Sequence, residues 1–254
     1  MRLPAVVLLI AGLACAVPHL SLAQASSEPD WGYFGKNGPE NWGKLDPAWK
    51  ACSTGHAESP VDIRHAKLDK ALKPIEFHYM AGPVTLESIH HTVLVHVQKG
   101  SYIVVDGVRY DLEQFHFHHP SEEAVNGKLT DMVAHLVHRS ADGKIAVIAV
   151  RFNQERGDPN ALLSTLWPKL PKTVGQTTKI DDEVDPAGLL PADRAYWTYT
   201  GSLTAPPCTE GVRWFIFEQE MSISREQLKA YSAIFPVNSR PLQDLHGRKI
   251  EASQ

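Results

Sequence analysis

"QFHFHHPSEE", residues 114–123, sets His116, His118 and His119 among phenylalanines and follows them with two glutamates. Successive side chains of an extended strand alternate faces, so His116 and His118 point one way while Phe115 and Phe117 point the other. Two imidazoles about 7 Å apart on one face can share a metal ion if a neighbouring strand supplies a third ligand. The next β-rich run, "DMVAHLVH" at 131–138, offers His135 or His138, which alternation places on opposite faces. His135 shares its face with Val133 and Val137, apolar company that suits a dry pocket wall. Three neutral nitrogens without a nearby cysteine fit a catalytic zinc with an open fourth position; structural zinc has all four positions filled, often by sulfur.

The H-x-H pattern alone also occurs in satisfied core or surface histidines. His116, His118 and Glu122 match the H-x-H-x3-E spacing of cupins as well, which would make the protein an iron-type metal oxygenase. The glycines around that motif are missing, however, and no Pro-x-Gly precedes His135.

Other runs rich in β-branched residues recur between turns: "VTLES", "TVLVHV", "SYIVV", "KIAVIAVRF" and "GVRWFIFEQ". Short Gly-containing turns, "DG" at 106–107 and "ADGK" at 141–144, favour antiparallel pairing. Two helices are predicted: "DPNALLSTLW", with Asp158 as cap and Pro159 in its first turn, and "SREQLKAYSAIF", with Ser224 and Gln227 in capping-box spacing. The N-terminal "WGYFGKNGPENWGKL" reads as a surface loop. The expected fold is a large antiparallel-dominated sheet with small helices outside it.

The 254-residue chain is 43% hydrophobic and 21% charged, ordinary for a globular protein. Residues 1–25 carry one charge, Arg2, then an apolar run and "SLAQA", which reads as a secretory signal peptide cleaved after Ala25. A lipoprotein anchor at Cys15 is the rival reading; its "GLA" lacks the apolar residue expected three positions upstream. Residues 26–254 form one domain with 24 Lys and Arg against 29 Asp and Glu and no basic cluster, which argues against nucleic acid or an anionic membrane as partner. That domain keeps two cysteines, Cys52 and Cys208, an even pair after export; a bridge or two free thiols both fit.

Distant segments decide between these readings. "WGYFGKNGPENWGKL", "ESPVDI", "QFHFHHPSEEAVNGK", "AHLVH", "ADGKIAVIAVRF", "YWTYTGSLTAPPCTEGVRW" and "NSRPLQ" resemble, in order, the signature segments of alpha-class carbonic anhydrases of the secreted bacterial type. The resemblance covers nearly all of residues 26–254. It implies a mixed α/β, β-dominated fold with a large central twisted, mostly antiparallel sheet and small peripheral helices. It also implies reversible hydration of carbon dioxide to bicarbonate by attack of a zinc-bound hydroxide, with weak esterase activity; the signal peptide implies a place in the periplasm or outside the cell. A Cys52–Cys208 disulfide and a homodimer are compatible with it. His116, His118 and His135 match the zinc ligands, and Val137, Val147, Leu203, Val212 and Trp214 match the apolar wall for carbon dioxide. Thr204 matches the hydroxyl that accepts the hydroxide's hydrogen bond and donates its own to a carboxylate, matched by Glu122. Gln114 matches a residue that orients a ligand imidazole. His91 matches the proton shuttle, whose imidazole pKa near 6.5 lies close to that of zinc water near 7, and Tyr33 matches a cavity residue beside it.

Some positions depart from the family. Two residues before the third ligand stands Val133, where members usually carry a glutamate that accepts that histidine's second N–H. After Glu122 stands Glu123, where histidine is common. The expectation is a partial exchange, with Glu123 reaching the His135 nitrogen that Val133 cannot serve. Ile89, Leu94 and Ala205 replace polar cavity residues, which predicts slower proton release and a dependence on buffer. Loss of the Val133 acceptor also keeps a zinc-poor, anhydrase-related binding domain in view.

Overall fold

The computed structural model describes residues 29–155 and 157–254; the expected signal peptide and its cleavage site lie outside the described residues. Eight longer strands carry the fold: β1 (Gly82–Ser88), β2 (Val93–Val97), β3 (Val108–His118), β4 (Met132–Ser140), β5 (Ile145–Asn153), β6 (Thr177–Val184), β7 (Tyr196–Ser202) and β8 (Glu210–Phe217). Two helices accompany them, α1 (Ala161–Leu166) and α2 (Arg225–Ser232). Among the described residues thirteen strands join one sheet, whose main path runs β6-β1-β2-β3-β4-β5-β8-β7 and ends on the short strands Glu251–Ala252 and Lys67–Leu68. Neighbours along the path from β6 to β5 are antiparallel, as the turns predict, but β5 and β8 run parallel, with Val147 opposite Trp214. The chain between β5 and β8 is long enough to carry α1, β6 and β7, and a crossover of that length is what a parallel neighbour requires.

The alternation in the sequence becomes two cores. Phe115, Phe117, Leu136, Ile148, Phe215 and Phe217 point to one face and pack under α1 and α2. Val133, Val137, Val147, Ala149 and Trp214 point to the other, with Val61 and Ile63. Full burial of such side chains is worth about 1.5–3 kcal/mol each, so a slip of one residue in β3 or β4 would exchange an aromatic core for imidazoles. The register is strongly fixed for that reason.

Two local expectations need adjustment and one holds. α1 is capped by Asn160, whose side chain accepts from the Leu163 N–H, and not by Asp158; Pro159 lies before the cap and not in the first turn. α2 shows the predicted capping box in full, with Ser224 and Gln227 bonding each other's backbone. The N-terminal segment is more than a surface loop: Trp42 is fully buried and packs with Trp49 around the Cys52–Cys208 disulfide. The indole N–H of Trp42 donates to the carbonyl of Gly32 within the segment, and the Trp31 carbonyl accepts from His91, which ties the segment to the body of the protein.

Candidate metal centre

Strand pairing puts His116 of β3 opposite His135 of β4, and His118 follows two residues on along the same face. The facing nitrogens of the three rings lie within 4.8 Å of one another. His138, the alternative third ligand, is fully buried on the opposite face, with its Nε2 2.7 Å from the hydroxyl of Tyr79. Alternation had separated the two candidates correctly.

Each ring is held from behind by a different acceptor. His116 Nδ1 is 2.9 Å from Gln114 Oε1, His118 Nδ1 is 2.7 Å from the main-chain oxygen of Asn238, and His135 Nε2 is 3.1 Å from Glu123 Oε1. With those nitrogens protonated and donating, Nε2 of His116, Nε2 of His118 and Nδ1 of His135 carry the lone pairs turned to the shared centre. His118 Nε2 is buried and has no hydrogen-bond partner among the described residues. An unpaired buried nitrogen costs about 1–3 kcal/mol, and a cation shared with the other two rings removes that cost. Burial pulls the His116 pKa to about 3 and holds His118 well below the usual imidazole value, helped by the neighbouring histidines. Both are therefore neutral at pH 7, as a metal ligand must be. For His135 burial also acts downward, but the Glu123 charge and hydrogen bond, with Glu122, outweigh it and raise the pKa. The donor set and the orphaned nitrogen fit a zinc ion.

Glu122 is buried beside the centre-facing nitrogens of His118 and His135. Its Oε1 accepts the main-chain N–H of Arg240 at 2.7 Å, and its Oε2 lies 3.6 Å from His118 Nε2 and 3.8 Å from His135 Nδ1 without a hydrogen bond. Burial pushes its pKa up to about 7, with Thr204 among the groups acting to lower it. Thr204 lines the cavity beside the three histidines. Its loop is closed by a Leu203 N–H bond to the Thr209 carbonyl and by the disulfide at Cys208.

The cavity, about 260 Å³, has the expected apolar wall of Val137, Val147, Leu203 and Trp214, extended by Ile89 and Leu94. Val212 is a correction: it is buried within the core that backs this wall and does not line the cavity. Its alternation is as expected, but its register partner is Gly201, next to an irregularity in the β7–β8 pairing, one rung outside the Val147–Trp214 pair. Tyr33 lines the cavity near His91. His91 stacks on Trp31 with ring centroids 3.4 Å apart, and its Nε2–H is directed at the Trp31 carbonyl at 2.7 Å. Burial, then His90, pulls its pKa to about 4. At the mouth an irregularity in the β3–β4 ladder between Leu112 and Gln114 turns Glu113 into the lining, where it pairs with Arg139 at 2.6 and 3.1 Å.

Sequence reasoning missed two residues on which the site hangs. Asn238 holds His118 through its carbonyl, and its side chain donates to the carbonyls of His91 and Phe117. Arg240 donates from its backbone to Glu122 and from its guanidinium to Glu58 at 2.6 Å. Both lie in "NSRPLQ", a segment that had been recognised without roles for its side chains.

Comparison with known proteins gives concordant results. The family model of eukaryotic-type carbonic anhydrase matches residues 37–254. A carbonic anhydrase of Klebsiella pneumoniae is 41% identical over 87% of this chain and 89% of its own length. One of Pectobacterium carotovorum is 37% identical over 90% and 93%. The solved alpha-carbonic anhydrase of Thermovibrio ammonificans, in complex with the inhibitor sulfanilamide, superposes with a TM-score of 0.85 at 40% identity, covering 89% of this chain and 100% of that one.

Proposed function

The chain belongs to the carbonic anhydrase family, and we propose that it is a zinc enzyme that interconverts carbon dioxide with bicarbonate and a proton. The observation that carries this reading is the convergence of three imidazoles, each fixed by an outer acceptor and one with an unsatisfied buried nitrogen, at the floor of an apolar cavity. A zinc ion held by His116, His118 and His135 supplies a water whose pKa falls to about 7, hence a nucleophile at neutral pH; carbonic anhydrase is itself the standard case for that value.

The chain's own residues do the rest. Val137, Val147, Leu203 and Trp214 give carbon dioxide an apolar seat. Glu122, in its ionised form, accepts only, so a Thr204 hydroxyl turned to it must donate. That leaves the hydroxyl oxygen to accept from the nucleophile and fixes its orientation. Arg240 anchors Glu122 for this role through its backbone N–H. His91 serves as the proton relay once its ring leaves the Trp31 carbonyl; while stacked, with a pKa near 4, it is a poor acceptor from a donor near 7. The cavity is also of the kind that takes a sulfonamide, as its Thermovibrio relative takes sulfanilamide.

Residues 1–25 support export, with the protein working in the periplasm or outside the cell. Mass analysis of the exported protein gives a chain beginning at Ser26 on this reading. The catalytic test is stopped-flow carbon dioxide hydration by residues 26–254, with bound zinc counted on the same sample. Fast hydration with one zinc per chain is expected, and a zinc-loaded protein that fails to hydrate carbon dioxide overturns the proposal.

A further inference from the structure

The carboxylate of Glu123 is fully buried, and both of its oxygens turn to one N–H: Oε1 is 3.1 Å and Oε2 3.4 Å from His135 Nε2. No other hydrogen bond to these oxygens occurs among the described residues. A buried carboxylate costs several kcal/mol unless it is paired and placed, so an arrangement spent on one ring nitrogen calls for a reason. The backbone around Glu123 is fixed from both sides. Ser121 Oγ donates to the Glu123 carbonyl at 3.0 Å, and Ala124 pairs with Asp62 in a short parallel ladder. Across the strand from His118, Val133 fills the neighbouring position on the face of His135 with a side chain that can accept nothing. Arg151, opposite Val133 on β5, feels the Glu123 charge and is itself held by Glu220 at 2.6 Å. The negative charge therefore has a cationic neighbour, while its hydrogen bonding is reserved for His135.

We propose that Glu123 is the positioning residue of the third ligand: it locks His135 with Nε2 protonated and Nδ1 presented to the metal, so that zinc retention depends on it. The proposal rests on the zinc reading above. A ligand histidine that loses its outer acceptor loses about 10–100-fold in metal affinity. Neither Gln114 nor Asn238 can substitute, because each already serves another ring. The acceptor is defined by its place relative to Nε2, so a carboxylate brought to the same nitrogen from position 133 should do the same work.

The test is the rate at which zinc-loaded protein releases its metal to excess chelator, for the unaltered chain, Glu123→Ala, Glu123→Gln and the double variant Glu123→Ala/Val133→Glu. Imidazole N–H proton resonances are recorded on the same samples. Glu123→Ala is expected to release zinc about 10–100-fold faster and to lose the exchange-protected His135 Nε2–H signal. Glu123→Gln, which keeps an acceptor oxygen, should stay within about tenfold, and the double variant should recover most of the retention. Should Glu123→Ala fail to fold, the Gln and double variants still decide. Release at the unaltered rate in Glu123→Ala, an unprotected His135 N–H in the parent chain, or a double variant that folds yet releases zinc far faster than the parent chain overturns the proposal. An unaltered chain that never binds zinc overturns the zinc reading instead; the His135 N–H signal of the metal-free chain then judges Glu123 by itself.

Discussion

The main-chain oxygen of Asn238 lies 2.7 Å from Nδ1 of His118, a residue 120 positions earlier in the chain. The Asn238 side chain fixes that carbonyl, since Nδ2 donates to the carbonyls of His91 and Phe117 at 2.7 and 2.9 Å while Oδ1 accepts the His119 N–H at 2.7 Å. One asparagine thus ties the β3 ligands to the C-terminal segment. Asn238→Ala takes the partner from the His91 carbonyl and the His119 N–H, at about 1–3 kcal/mol each, while the Phe117 carbonyl keeps the Thr92 and Tyr231 hydroxyls. A loss of about 2–4 kcal/mol is expected, together with faster zinc release, read by thermal melting and by chelator competition. Unchanged zinc release would mean that the carbonyl holds its place without the side chain.

Thr204 stands beside both the histidine centre and Glu122. Thr204→Ala should keep full zinc and the fold but lower kcat/KM by about 10–100-fold, the worth of one hydrogen bond to a charged group. Hydration kinetics on zinc-matched samples check this. Loss of zinc in step with the rate would place Thr204 in metal retention instead.

His91 is held by Trp31 in a position where it accepts protons poorly. Turnover in dilute buffer should therefore be limited by proton release and rise severalfold with added imidazole buffer, which bypasses the relay. Trp31→Ala removes the stacked indole but keeps the accepting carbonyl, so it should loosen His91 and raise the dilute-buffer rate only in part, whereas His91→Ala should lower it. A His91→Ala rate equal to that of the parent in dilute buffer would remove His91 from proton transfer.

His138 gives the acid sensitivity a sign. Burial holds its folded pKa at about 3, against an ordinary value of 6.5. Between those values the unfolded chain binds a proton that the folded chain refuses, so stability is lost as pH falls from about 6.5 toward 3, at roughly 1.4 kcal/mol per unit. His138→Gln, which can still bond the Tyr79 hydroxyl, should lose about 2–3 kcal/mol less than the parent between pH 6.5 and 4.5, in denaturant titrations of metal-free protein. Parallel losses in both chains would show that other groups dominate.

The Cys52–Cys208 bridge spans 156 positions. In the loop-entropy account its reduction costs up to about 4–5 kcal/mol. Because Cys208 closes the loop that carries Thr204, the reduced protein should also hydrate carbon dioxide more slowly at temperatures where it remains folded. Melting and hydration compared with and without reductant test both statements.

What could be read in advance followed the strength of the local signal. Phe115 to His118 is a strict alternation, so that strand and its two faces followed from period, and period put His135 and His138 on opposite faces; the choice of His135 came from the family resemblance. β6 gave no such pattern, because only Ile180 and Val184 of its eight residues are buried at the edge of the sheet. The supports of the site were hidden for another reason. The carbonyl of Asn238 and the backbone N–H of Arg240 act through main-chain atoms that every residue carries, and only the fold brings them to His118 and Glu122. Glu113 reached the cavity mouth through a ladder irregularity that moves one residue off the alternating pattern. Depth was equally illegible, which is why Val212 was placed in a wall that it only backs.

The central claim is that these three histidines make a zinc-dependent carbon dioxide hydratase. The most direct measurement is the stopped-flow hydration rate of metal-free residues 26–254 as zinc is added in substoichiometric steps. The rate should climb linearly and break at one zinc per chain, and His116→Ala should abolish the climb. A rate independent of zinc, or a full complement of bound zinc with no hydration above the uncatalysed reaction, would contradict the account.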